Sequence, residues 1–183
     1  GWVDNRKYPI RNEHGEIIGL YGIARDISEQ KRAEQALRTS ELKFRTLFES
    51  MAEGVALHEL IVDKVGTPTN YRVIDVNPAY ESILGIPRQE AVGSLGTDLY
   101  QSPAAPYLSQ FAQVVQTGLP LKFEANFKPM GRTFAISVTC PGPQRFVTIF
   151  EDITQRRRVE AELRLQALVL DQIQDHVTVT DLD

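Results

Sequence analysis

Two stretches of the chain are nearly the same. ARDISEQKRAEQALR (24–38) returns as FEDITQRRRVEAELR (150–164), 126 positions downstream. Asp26, Ile27 and Ser28 align with Asp152, Ile153 and Thr154. Arg32, Glu34, Leu37 and Arg38 align with Arg158, Glu160, Leu163 and Arg164. A second pair of markers, SMAEGVAL (50–57) and QIQDHVTV (172–179), recurs at a spacing of 122. A period of this length is a domain, not a solenoid repeat. It places one whole unit in the middle of the chain, the end of another before it and the start of a third after it.

Each acidic turn is followed by a helix pattern. Ala33, Leu37, Ser40, Phe44, Leu47 and Met51 are spaced alternately four and three apart, as are Val159, Leu163, Gln166, Leu170, Ile173 and Val177. This is the seam of a heptad, with Arg, Lys, Glu and Gln elsewhere. So narrow an apolar stripe has two ways to be covered. It can lie on the sheet of its own domain, or zip to the same helix of a second copy as a parallel dimer. The first linker, Asp26 to Glu53, is four residues longer than the second, Asp152 to Asp175. Four helical residues add ~6 Å and leave a phase change of ~40°, a stutter in coiled-coil terms.

Between the helices the pattern turns to strands. GVALHELIV (54–62) and YRVIDV (71–76) are predicted strands, parted by the polar turn KVGTPTN (64–70). Asn77-Pro78 is an N-cap followed by proline at the first helical position, and Gly85 stops that helix. Pro87 opens another that ends at Gly93, and 94–106 is predicted loop. PYLSQFAQVVQTG (106–118) is amphipathic at helical spacing and stops at Gly118. Three strands follow, at 121–128, 132–139 and 144–152, with turns at PMG (129–131) and PGP (141–143), an antiparallel meander. The last of them is apolar on both faces, as a central strand is. The result is an α+β domain with one five-stranded antiparallel sheet and helices on one face, flanked by coiled-coil-type linker helices.

This order, with VIDVNPAYESILGIPRQEAVG after the second strand and FEDIT closing the fifth, resembles the PAS domain. The resemblance implies five parts. Residues 1–28 would be the last strands of a preceding PAS domain, 29–50 a linker helix and 51–154 a complete PAS domain. Residues 155–171 would be a second linker, and 172–183 the start of a third domain. In this family the Asp-Ile-Thr (or Ser) turn joins the last strand to an exit helix that carries changes of state onward. The resemblance therefore assigns signal coupling to Asp26, Ile27, Ser28, Asp152, Ile153 and Thr154. Elementary physics agrees, since an acid ahead of a helix N-terminus is favoured by ~0.3–1 kcal/mol and can cap free N–H groups.

No catalytic constellation is visible. His14, His58 and His176 stand apart from one another and from Cys140, without metal-ligand spacing. His58 falls in a strand pattern and is expected to be a surface or half-buried side chain. Haem-binding PAS domains supply a histidine from the long helix before the meander, and residues 106–118 have none. Photoreactive flavin domains carry Asn-Cys-Arg on a middle helix, whereas Cys140 ends a strand. Both cofactors are argued against, and the cofactor stays unassigned. The fold implies a cavity between helices and sheet. Its candidate lining is Tyr80, Ile83, Leu84, Phe111, Phe123, Phe127 and Phe134, with Asn77, Asn126 and Arg132 as polar contacts.

Net charge is −4, without a basic face, which argues against nucleic acid as a partner. One cysteine permits no internal disulfide and fits a reducing cytosol. No apolar run approaches the ~20 residues that cross a bilayer. Both ends look like cuts from a longer protein. The expectation is a cytoplasmic, homodimeric sensor and relay segment, with a possible small-molecule ligand. It would stand upstream of a histidine kinase or cyclic-di-GMP output domain in the same chain and would not itself be an enzyme. Two alternatives are a dimerisation spacer with a filled core and a small acid–base enzyme using Asp75 or Glu124.

Overall fold

The structure is a computed structural model that describes residues 1–174. The expected start of a third domain therefore lies, over 175–183 with His176 and Val177, outside the described residues. The chain divides into two units, Gly1–Phe48 and Glu49–Asp183.

The first unit is a hairpin followed by a helix. Strands β1 (Val3–Arg11) and β2 (Ile17–Asp26) pair antiparallel, with Tyr8 opposite Tyr21 and their rings stacked 5.3 Å apart. The turn is closed by the Asn12 side chain, whose Oδ1 accepts from the amides of His14 and Glu16. Helix α1 runs from Ser28 to Ser50. Its seam residues Leu37, Phe44 and Leu47 are exposed, and Phe44 stacks on Phe48 at 5.8 Å.

The second unit contains strands β3 (Gly54–Val62) and β4 (Pro68–Val76) and the short helices α2 (Pro78–Leu84), α3 (Arg88–Ala91) and α4 (Gly96–Leu99). Helix α5 (Leu108–Thr117) comes next, then strands β5 (Leu121–Phe127), β6 (Arg132–Gly142) and β7 (Arg145–Asp152) and helix α6 (Thr154–Gln174). The sheet order is β4-β3-β7-β6-β5, antiparallel throughout. The first and last strands of the unit are thus neighbours at its centre. Helices α2 to α5 form the connection from one sheet edge to the other, and the core lies beneath them. On β7, Phe146, Thr148 and Phe150 are buried, while Val147 and Ile149 are only half-buried. The strand predicted to be apolar on both faces is the middle one, yet a single face carries the core.

Local chemistry explains where the elements depart from expectation. β4 begins three residues early because Asp63 Oδ1 accepts from the amides of Val65 and Thr67 and tightens the turn. Gly66 occupies the left-handed region in that turn, at φ +87. β6 continues through Pro141 and Gly142, and the chain reverses instead at Gln144, φ +56. The stretch predicted as loop contains α4, and its first residue is glycine because a Cβ there would fall 2.6 Å from the Tyr71 ring.

Gly54 has a similar reason for being glycine. It pairs with Phe150, and a Cβ would fall 2.3 Å from that ring. Gly54→Ala is expected to cost about 1–3 kcal/mol of stability through displacement of Phe150, read as a lowered midpoint in urea unfolding with an unchanged slope. Gly142→Ala, with open space at its Cβ, is the control.

Candidate functional site

Between sheet and helices lies a partly open cavity of about 60 Å³, lined by His58, Tyr71, Tyr80, Leu84, Tyr100, Pro106, Tyr107, Phe111, Phe127, Phe134, Ile136, Thr148 and Phe150. Five residues singled out from sequence stand on it: Tyr80, Leu84, Phe111, Phe127 and Phe134. Ile83 packs against the core but not on this wall. The remaining candidates lie elsewhere. Asn77 is buried as the cap of α2: Oδ1 accepts from the amides of Tyr80 and Val55, and Nδ2 donates to the Glu53 carbonyl. These bonds hold β3 to α2, and Asn77 does not stand on the cavity wall. Phe123 is half-buried against Tyr107, ring centroids 5.6 Å apart. Asn126 is exposed on β5. Arg132 is exposed too, and its Nη1 donates to the Ile83 carbonyl at the end of α2.

Five polar residues on the cavity were not among the candidates: His58, Tyr71, Tyr100, Tyr107 and Thr148. His58 is 3% exposed, not on the surface. Strand alternation carried the signal, because His58 shares a face with Ala56 and Leu60, both buried. Its ring stacks on Phe146 at 4.6 Å and meets Tyr71 edge-on at 5.2 Å. Tyr71 follows the same alternation with Val73. Tyr100 and Tyr107 come from the stretch where proline and turn residues hid any pattern. The Tyr80 and Tyr100 hydroxyls are hydrogen-bonded at 3.0 Å.

The electrostatics follow from burial. Desolvation pushes the His58 pKa from 6.5 down to about 3, outweighing the upward pull of the Ala56 and Phe146 backbone acceptors. The imidazole is neutral, and its Nδ1 has no partner within hydrogen-bond geometry among the described residues. Burial likewise raises Tyr71, Tyr80 and Tyr100 above the ordinary phenol range. Asp75 and Glu124 do not resemble buried bases. Each is well exposed and ion-paired, Asp75 with Arg88 at 2.8 Å and Glu124 with Arg157. Among the described residues no group of three or more His, Cys, Asp or Glu could hold a metal ion.

The two acidic turns are built alike. The Thr154 amide donates to Asp152 Oδ1 at 2.9 Å, and the Ser28 amide to Asp26 Oδ1 at 2.8 Å. Thr154 Oγ1 accepts from the Thr133 amide, and Ser28 Oγ accepts from the Trp2 amide. The Ile153 amide donates to the Thr133 carbonyl, and the Ile27 amide to the Trp2 carbonyl. In both cases the helix is stitched to the neighbouring strand of its hairpin. Burial alone would raise the Asp152 carboxyl, but the Thr154 hydrogen bonds and the charges of Arg132 and Arg158 hold it below the usual range. Hydrogen bonds from Ser28 lower Asp26.

A family model for the PAS domain matches residues 42–116, and a second, for the PAS fold, matches residues 1–32. The chain belongs to the PAS domain family. Over 168 residues, 85% of the chain, it is 28% identical to Sporulation kinase E of Bacillus subtilis (strain 168). It spans 19% of that relative's length. A solved structure, that of an RNA-binding Light-Oxygen-Voltage receptor, matches over 92% of this chain and 43% of its own, at TM-score 0.50 and 16% identity. A domain of a sensory box sensor histidine kinase/response regulator from Geobacter sulfurreducens covers 63% of this chain and 96% of its own, at TM-score 0.45 and 24% identity. No described helix is long and apolar enough to cross a membrane.

Two measurements follow from this PAS domain's interior. The unfolded His58 takes up a proton near pH 6.5, whereas the folded one does so only near pH 3. Below pH 6.5 the unfolded chain therefore binds more protons, and stability falls as pH drops. The slope reaches up to about 1.4 kcal/mol per pH unit. Urea unfolding between pH 6.5 and 5 is expected to show that slope and to lose it in His58→Phe. Asn77→Ala leaves the buried Val55 amide unpaired and uncaps α2, with an expected loss of about 2–4 kcal/mol. A loss below ~1 kcal/mol would contradict the cap's role.

Proposed function

We propose that this chain is a sensory and relay segment of a multidomain histidine-kinase-type signalling protein, working in the cytoplasm as a homodimer. One observation carries the reading: the strand-to-helix junction is built twice with the same hydrogen bonds, at Asp26–Ser28 and Asp152–Thr154. A junction that is used once is a cap. One repeated at domain spacing, each time ahead of a heptad helix, is a coupling. On this reading residues 1–28 close a preceding PAS domain, and 172–183 open a third.

A path from cavity to exit helix supports it. Tyr80 and Leu84 bring α2 to the cavity wall. Arg132 grips the Ile83 carbonyl in the last turn of that helix and lies 3.6 Å from Asp152. Asp152 caps α6, and Arg157 on the next turn is ion-paired with Glu124 of β5. A shift of α2 therefore pulls on the root of α6. The exposed apolar stripes of both helices, Leu37 with Phe44 and Val159 with Leu163 and Leu170, are suited to a parallel dimer. The small cavity favours a second reading, a dimerisation spacer whose core is full.

Sedimentation of the chain at rising concentration is expected to give a dimer. Phe44→Glu combined with Leu163→Glu is expected to weaken it at least tenfold, about 1.4 kcal/mol, with unchanged helical circular dichroism. An unaltered chain that stays monomeric at high concentration would remove the mechanical basis of the relay.

A further inference from the structure

The cavity of the PAS domain touches no charged side chain. Its lining contains no Asp, Glu, Lys or Arg, and its one imidazole is neutral. An ion entering it would give up its hydration and gain no counter-charge, which is strongly unfavourable. Polar groups nevertheless line it, and beside Tyr71, Tyr107 and Thr148 two places stand out. Tyr80 and Tyr100 share one hydrogen bond at 3.0 Å. Two hydroxyls carry two hydrogens, so the pair keeps one O–H to donate. His58 is 97% shielded from solvent yet has an unpartnered ring nitrogen, and a neutral imidazole carries one donor and one acceptor. Unmet polar groups in a buried apolar wall are costly unless something binds there.

Size narrows the choice further. About 60 Å³ holds roughly four waters, or a molecule of about four to six non-hydrogen atoms. The rest of the wall is largely apolar, with Phe111, Phe134, Leu84 and Ile136 on it, which suits a short apolar tail. We propose that this cavity binds a small uncharged molecule carrying both a hydrogen-bond donor and an acceptor, a short-chain primary amide or alcohol, with His58 and the Tyr80–Tyr100 pair as its polar contacts. The inference rests on the reading of the domain as sensory and specifies the ligand class of that site. An outer cleft of about 320 Å³ shares Tyr100 and Phe127 with the cavity, and these two rings meet edge-on at 5.5 Å as the partition between them.

The test titrates the full chain with acetamide and propan-1-ol, and with acetate and methylammonium as charged comparators. One readout is the imidazole ¹⁵N signals of His58. The other is the separation of spin labels placed on α6 of the two protomers. Saturable His58 shifts are expected with the two neutral probes and not with the two ions. His58→Phe, which keeps the stacked ring, is expected to bind about tenfold more weakly, and Tyr100→Phe several-fold more weakly. The proposal is overturned if neutral probes give no saturable shift, if the ions give the same shift, or if both variants bind as tightly as the parent. Binding that leaves the α6 labels unmoved supports the ligand class and sinks the relay. Labels that respond to another stimulus while His58 stays silent keep the relay and sink the ligand class.

Discussion

The pairing of β3 with β7 is the constraint on which the second unit depends. It joins the first strand to the last, from Gly54 opposite Phe150 to Glu59 opposite Arg145. Closing so long a loop carries an entropic cost that local structure cannot offset. The compensation is burial: His58, Phe146 and Phe150 meet on the inner face, with Tyr71, Phe111 and Tyr80 against them. Once those two strands are side by side, β4 and β6 can only flank them. The helical connection must then cross the same face, which is why the core and the cavity coincide.

The second consequence concerns the exit. β7 is central, so its end is held by strands on both sides, and a helix leaving from it inherits a fixed direction. Asp152, Ile153 and Thr154 each contribute differently. The carboxylate accepts from the Thr154 amide, the isoleucine is fully buried, and the threonine hydroxyl accepts from β6. The first unit repeats the arrangement, with serine in place of threonine and Trp2 in place of Thr133. Ion pairs on the first turns also correspond, Lys31 with Glu34 and Arg157 with Glu160. Exposed pairs of this kind add little energy.

The elements were legible in the sequence wherever a local signal existed. Asn77-Pro78 and Gly85 bound α2 as a cap, a proline and a left-handed stop, and alternation at Phe134, Ile136 and Val138 chose the buried face of β6. The cavity was legible only in part. Aromatic residues on predicted helices and strands led to Phe111, Phe127 and Tyr80. His58 was passed over because a histidine in a strand is commonly exposed, although its spacing from Ala56 and Leu60 pointed inward. Arg132 was assigned to the cavity on its polarity alone, and it serves the α2 terminus and Asp152 instead.

By itself the sequence determined the periodic parts: a repeated acidic turn, two heptad helices, a hairpin followed by a three-stranded meander, and the glycines that end the helices. These depend on neighbours within a few positions, and the backbone reads such signals directly. Tertiary structure alone decided which polar groups would be sealed together. Tyr80 meets Tyr100, and His58 meets Phe146, across separations that no local pattern spans. Whether a histidine is charged or neutral depends on what desolvates it, and that is fixed only when distant strands close around it.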